Sequence, residues 1–426
     1  MLDLSARFPR YLAHDPAVPV WCVSPEGGPT THRFFDTSPV SPSGRYIGLT
    51  RLPYEGRPPT PGDPAEVLVV DLVTGAEHVV AETRGWDTQL GAGVQWGADD
   101  RALVYNDLDT TTWRPYAVVL DPATGVRRRL RGPVYMLSPD GRQALSPDLV
   151  RIARAQAGYG VVVPEDRVPA NTGAPEDDGL YLTDMETGAC RLLASLERIV
   201  EACRLPRTGS QGNPLDYYGF HAKWNPQGDR IMFVVRAKPR GQGPERRAVV
   251  TMRADGSEMH VAISPDQWAP GGHHPNWLPD GERLLMNLNL RGEGMLLVST
   301  RYDGSDLGPM TEAVPGSGHP SLHPDGRHVL TDAYTHEPLA YGDGTTPLRL
   351  IDLQRGEERT LARIRTLPDD EGPGRMWRVD PHPAWDRSFR WAAFNACPDG
   401  VRRVYLADLS ELVAPADGAS VEGADA

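Results

Sequence analysis

Four stretches of the chain share one short pattern: a histidine, a bulky apolar residue three positions later, and then a turn of the form Pro-x-Gly. The copies are His221-Ala222-Lys223-Trp224-Asn225-Pro226-Gln227-Gly228, His274-Pro275-Asn276-Trp277-Leu278-Pro279-Asp280-Gly281 and His319-Pro320-Ser321-Leu322-His323-Pro324-Asp325-Gly326, with His382-Pro383-Ala384-Trp385 as a fourth that lacks the turn. Three earlier copies keep the apolar residue and a turn but not the histidine: 37–44 (TSPVSPSG), 93–100 (GVQWGADD) and 134–141 (VYMLSPDG). Seven copies of one unit imply a repeat fold, in which each unit buries its apolar face only against its neighbours.

Each copy is followed by an apolar run and then by a second run that ends in an Asp-containing turn, as in 67–75 (VLVVDLVTG), 180–188 (LYLTDMETG) and 348–356 (LRLIDLQRG). Short strands with turns at this spacing form antiparallel four-stranded sheets, and seven such sheets packed radially make a propeller. The expected fold is therefore all-β, a seven-bladed β-propeller of four-stranded antiparallel blades. The last copy has only three strands, so the N-terminal run 18–24 (VPVWCVS) is expected to add the fourth and close the ring. One domain should span residues 1–412, with 413–426, rich in Ala, Gly, Asp and Glu, as a disordered tail. Two long insertions, 53–64 and 159–178, are placed to wall a binding site.

Composition narrows the function. The chain of 426 residues has a hydrophobic fraction of 39% and no run approaching a membrane span, which suits a turn-rich all-β protein rather than a disordered or membrane chain. Its N-terminus has no apolar signal core, so a cytoplasmic location is expected. Cys22, Cys190, Cys203 and Cys397 show no CxxC spacing and read as reduced thiols. A net charge of -13 argues against a nucleic-acid partner. An anionic substrate would need local cations, and since only Lys223 and Lys238 are lysines, those cations would be arginines. Oligomeric state has no signature in the sequence.

In a propeller the first strand of each blade is innermost, and a residue just before it lies at one mouth of the central channel. His221, His274, His319 and His382, on four consecutive blades, should form an arc there. Asp380 stands two residues before His382, on the same side of an extended strand. Imidazoles and a carboxylate converging on one point suit a divalent cation such as Mn, Zn or Fe. Asp380 orienting His382 is the equally simple reading. His273 and His323 are offset from the register and read as bystanders, and the Trp and Pro-Asp-Gly residues as core and turn.

The segments GFHAKWNPQGDRIMF, GGHHPNWLPDGERLL, SGHPSLHPDGRHVL and RVDPHPAWDRS, in that order, resemble the C-terminal half of the oligogalacturonate lyases. Those are seven-bladed propellers that cleave oligouronides by β-elimination with bound manganese. The resemblance runs from about residue 180 to 412; before it, THRFFDTSPVSPSG, with His32 and Arg33, looks like that family's His-Arg segment in the first blade, which makes His32 and Arg33 candidates for binding substrate. It implies His221 as the catalytic base and His274 and His382 as metal ligands. The family has a histidine where this chain has Asp380 and a glutamine near Trp377 that is missing here, so the implied metal set is completed by Asp380 and His319. An anionic oligosaccharide is the implied substrate. Propeller lyases acting on ulvan or rhamnosyl-glucuronate are the alternative within the class.

The chemistry asks for such residues. Removing the C5 proton of a uronate builds charge beside an existing carboxylate, which a metal or an arginine must offset. A neutral histidine near its reference pKa of ~6.5 can take the proton. A ligated histidine has its lone pair committed, so the base is expected at His221, the register histidine farthest in sequence from Asp380 and His382. Tyr217 or Tyr218, just before it, could protonate the leaving oxygen, with Tyr218 taken as the candidate. Arg33 and Arg236 are candidates to clamp a carboxylate. A non-catalytic binding or scaffold propeller is the alternative from another class, but does not require histidines in register. A peptidase is disfavoured because no GxSxG elbow is present.

Overall fold

The computed structural model describes residues 4–366 and 376–413. The repeated turns and apolar runs resolve into seven antiparallel sheets of four strands. Six blades are built from consecutive strands. In the seventh, Val20–Cys22 pairs with Arg403–Asp408, Val20 opposite Ala407, and supplies the fourth strand from within the segment expected to close the ring. Val413 is buried, and the remainder of the expected tail, from 414 on, lies outside the described residues.

The register tryptophans do more than fill the core. The Trp277 indole N–H donates to the carbonyl of Lys223 (3.2 Å), that of Trp385 to Ser321 (3.4 Å) and that of Trp96 to Pro39 (2.9 Å). In each case the acceptor is the residue just before the register position of the preceding blade, so a buried donor finds its partner across the blade boundary. A second tie runs forward. Asn106 donates to Val134 (2.8 Å), Asn287 donates to Gly318 (2.9 Å), and Asn395 accepts from the His32 amide (3.3 Å), each pinning the start of the next blade.

The inner strands are irregular where the histidines sit. Leu215–Trp224 pairs with Arg230–Pro239 but shifts register between Gly219 and Ala222, and Gly272–Trp277 shifts between His273 and Asn276. His221 and His274 therefore lie in bulges, which re-aim a side chain at the expense of ladder pairing. His274 (φ 56) and His382 (φ 47) also hold left-handed backbone, a conformation that costs a non-glycine residue energy and persists where packing enforces it. Blade 1 shows the largest departure. Its inner strand Thr30–Thr31 breaks off and pairing with the next strand resumes only at Val40 opposite Ile47, with Phe34 and Phe35 fully buried in between.

Helices are few and short. Leu196–Ala202, capped by the Ser195 side chain accepting from the Arg198 amide, connects blades 3 and 4, and Ile152–Ala155 lies just before the insertion 159–178. The period-two reading of the chain did not anticipate either. All four cysteines are free. Among the described residues no helix is long and apolar enough to cross a membrane.

Candidate active site at one mouth of the channel

The ring brings the four register histidines together. His274 and His319 lie with ring centres 3.8 Å apart, His319 and His382 4.5 Å apart, and one phenyl ring, Phe34, is within 4.6 to 6.2 Å of all four. Beside them opens a cavity of about 370 Å³ whose wall includes His221, His273, His274, Tyr159, Tyr334 and Asp380. Three guanidinium groups, Arg236, Arg247 and Arg378, share that wall, which concentrates positive charge locally in an acidic chain.

Hydrogen bonds set the tautomers. His319 Nδ1 lies 3.0 Å from Asp332 Oδ1, an acceptor, so Nδ1 carries the proton and Nε2 carries the lone pair. That Nε2 is buried without a partner. Asp332 also accepts from the His319 amide (2.7 Å), and a Cβ on Gly318, whose φ is 63, would overlap the Asp332 carboxylate. Only glycine lets the strand approach so closely. His274 Nδ1 lies 2.9 Å from the Gly318 carbonyl, which likewise leaves its lone pair on Nε2.

One ligand atom each from His319, Asp380 and His382 lie within 4.8 Å of one another. Both His382 ring nitrogens are buried without partners, as is His319 Nε2. Buried polar atoms in a folded protein are nearly always paired. Two imidazoles and a carboxylate with unused lone pairs are the donor set of a divalent-cation site, so these residues fit the metal that the sequence implies. His274 adjoins this trio without completing it. Arg378 donates to Asp380 (2.9 Å), so Asp380 is shared between a cation of the chain and the site.

His221 stands apart from the trio. Phe220 stacks on it at 4.0 Å and Tyr135 at 5.8 Å, with Tyr159 at 5.9 Å. Burial holds its pKa well below the usual imidazole value, and the cations of Lys223, Arg236 and Arg33 push it the same way. The imidazole is therefore neutral at physiological pH. The sequence-based expectation of a pKa near 6.5 is displaced downward, chiefly by burial and further by these three charges.

Other expected residues end up elsewhere. Tyr217 donates to the Pro206 carbonyl (2.6 Å), and the Tyr218 hydroxyl accepts from the Asn171 amide (3.1 Å); neither lines the cavity. The tyrosine hydroxyls at the site come instead from Tyr159 and from Tyr334, whose oxygen is 3.2 Å from His274 Nδ1. Arg33 is locked on Asp36 (2.7 Å) beneath the histidines rather than in the cavity wall. His32 is buried with its ring centre 6.5 Å from that of His382. Arg236 does line the cavity, donating to the carbonyl of Ala155 and the side chain of Gln156. His273, set aside by its offset, lines the cavity and touches His274.

A single turn holds two walls of the cavity. Asp87 accepts from the amides of Gln89, Leu90 and Gly160, the last beside Tyr159 in the long insertion. The Gln89 side chain donates to the carbonyls of Met376 and Arg378. Asp332, Arg247 and Tyr159 lie outside the motifs singled out in the sequence, although Asp332 directly follows the strand His328–Thr331 of the third histidine copy; Arg378 opens the segment RVDPHPAWDRS but was given no role there.

The fold is that of solved lyase structures. The chain superposes on an oligogalacturonate lyase in complex with manganese with a TM-score of 0.65, at 17% identity, over 95% of this chain and 96% of that one. It superposes on the oligogalacturonate lyase of Vibrio parahaemolyticus with a TM-score of 0.64, at 14% identity, over 95% and 97%. The tricorn protease matches with a TM-score of 0.50 at 10% identity, over 91% of this chain and 36% of that one. No protein-family profile and no curated protein matches the chain in sequence.

Proposed function

We propose that this propeller is a metal-dependent lyase that cleaves a uronic-acid-containing oligosaccharide by β-elimination, with an oligogalacturonate-like substrate. The observation that carries the proposal is the cluster of His319, Asp380 and His382, with unpartnered imidazole nitrogens, opening beside an arginine-bearing cavity and a neutral histidine. The manganese complex of a lyase with the same fold supports it.

His319, Asp380 and His382 would hold the cation, with His274 adjacent; Mn is the first choice, and Zn or Fe suit the same donors. A bound divalent cation there supplies Lewis-acid stabilisation of charge on a uronate carboxylate. The remaining work falls to the chain. Arg236, Arg247 and Arg378 attract and orient the anionic saccharide. His221, kept unprotonated by burial and its cationic neighbours, takes the C5 proton. As the C4–O bond breaks, the electron pair of the C5–H bond forms the C4–C5 double bond, and the leaving oxygen needs a proton. The donor in this reading is Tyr159, which lines the cavity and whose phenol burial keeps protonated far above neutral pH.

The test is a panel of uronides (oligogalacturonate, ulvan and rhamnosyl-glucuronate oligomers) assayed for the ultraviolet absorbance of an unsaturated product, with metal analysis of the purified protein. A stoichiometric transition metal and absorbance with one uronide are expected. A protein that holds no metal and gives no unsaturated product from any of them is a binding propeller instead.

A further inference from the structure

Blade 1 sends residues 32–37 out of its inner strand and into the channel, where three charged side chains meet without solvent. Arg33 and Lys223 flank the Asp36 carboxylate at 2.7 and 2.9 Å, and all three side chains are 2% exposed or less. Burial pushes the Asp36 carboxyl up, but the two cations overcome it and hold it ionised. Lys223, lowered to about 8 chiefly by burial, stays protonated at neutral pH. Its ammonium also lies 4.1 Å over the Phe35 ring.

Buried ion pairs seldom add stability over apolar packing, but they admit only one docking geometry. Here that geometry is shared with the site. Lys223 lies two residues after His221 on the same strand, and Asp36 two residues after Phe34. The cavity beside the histidines and a second one of about 580 Å³ at the opposite mouth share no lining residue, and Phe35 and Asp36 belong to the second.

We infer that residues 32–37 are a plug, locked to blade 4 by the Lys223–Asp36 ion pair, which closes the channel beneath the histidines and makes Phe34 the positioning residue for all four. Among the described residues, Phe34 is the one ring in contact range of His221, His274, His319 and His382 together. Phe35 reaches only His274 and His319, at 5.7 and 5.3 Å, and Asp332 bonds only to His319, so Phe34 is what the four imidazoles share. The inference holds whichever saccharide the site takes.

The experiment compares wild type, Phe34→Ala, the milder Phe34→Leu and Lys223→Met, each freed of metal by chelator and checked for folding by circular dichroism. Two readouts are taken: Mn²⁺ affinity by titration, and diethyl pyrocarbonate modification of His319 and His382 mapped by mass spectrometry. Both histidines are fully buried and should be unreactive in wild type. Phe34→Ala should weaken Mn²⁺ binding by about tenfold or more, the scale seen when a ligand's support is removed. It should also make His319 and His382 reactive. Phe34→Leu, which keeps most of the apolar volume, should fall between, and Lys223→Met should raise reactivity by releasing the plug. If Phe34→Ala unfolds, the Leu variant decides. Folded variants that bind Mn²⁺ within twofold of wild type and leave both histidines unreactive would overturn the plug. A wild type that binds no Mn²⁺ removes the metal reading instead, and the modification pattern still decides the plug.

Discussion

Asp332 Oδ1 lies 3.0 Å from His319 Nδ1, with both side chains wholly buried. The carboxylate fixes the ring's tautomer and aims Nε2 at Asp380 and His382, the arrangement by which proteins orient a metal-binding imidazole. Asp332→Asn keeps the shape but weakens the acceptor. The expected outcome is a Mn²⁺ affinity lower by about 10- to 100-fold with the fold intact, measured by titration of chelator-treated protein. Affinity equal to wild type would show that His319 needs no orienting partner.

His221→Ala should retain the fold and bound metal and lose on the order of 10² or more in turnover, the scale of a general base. Its lowered pKa fixes the pH profile. The neutral form is the active one, so the acid limb of kcat/KM should fall clearly below pH ~6.5, the reference value of a free imidazole. A limb at or above that value would place the base elsewhere, with His319 the next register histidine to test.

Tyr159→Phe removes a hydroxyl from the cavity, and Tyr218→Phe removes one bonded to the Asn171 amide outside it. Turnover with a responsive uronide should drop for the first by about 10²-fold, the lower range for a proton donor, and stay near wild type for the second. Equal effects of the two substitutions would return the leaving-group proton to solvent.

Stability of the metal-free protein should fall as pH drops from about 6.5 to about 4. Burial lowers the pKa of His32 to about 4 and of His273 to about 3, and holds those of His221, His274 and His382 well below the ordinary value. In that window the unfolded chain binds protons that the folded chain refuses, so unfolding becomes easier with acid, by up to about 1.4 kcal/mol per pH unit for each histidine. Asp87 and Asp178, pushed up to about 6 by burial, take up protons when folded and act the opposite way. Five groups outnumber two, so the urea midpoint should decline between pH 7 and 5; a flat or rising midpoint would contradict this balance.

Much of the architecture is local, and that part was legible in the chain itself. Pro-x-Gly turns, alternating apolar residues and their sevenfold return depend on neighbours within a few residues, so they predict seven blades and the register that carries His221, His274, His319 and His382. The completing strand was legible for the same reason, since a three-stranded last unit and the spare run around Trp21 are both visible locally.

What the tertiary structure alone decided is which groups face one another. Ring closure puts Thr31 against Asn395 and Lys223 against Asp36, pairs far apart in sequence whose distance no period encodes. For the same reason Tyr218, adjacent in sequence to the candidate base, points out of the cavity, while Tyr159, from a distant insertion, points in. Arg33, read as a substrate clamp from its motif, is spent on a buried carboxylate because the plug carries it below the site. A side chain's chemistry is set by its residue type, but its partners and its desolvation exist only once the ring has closed.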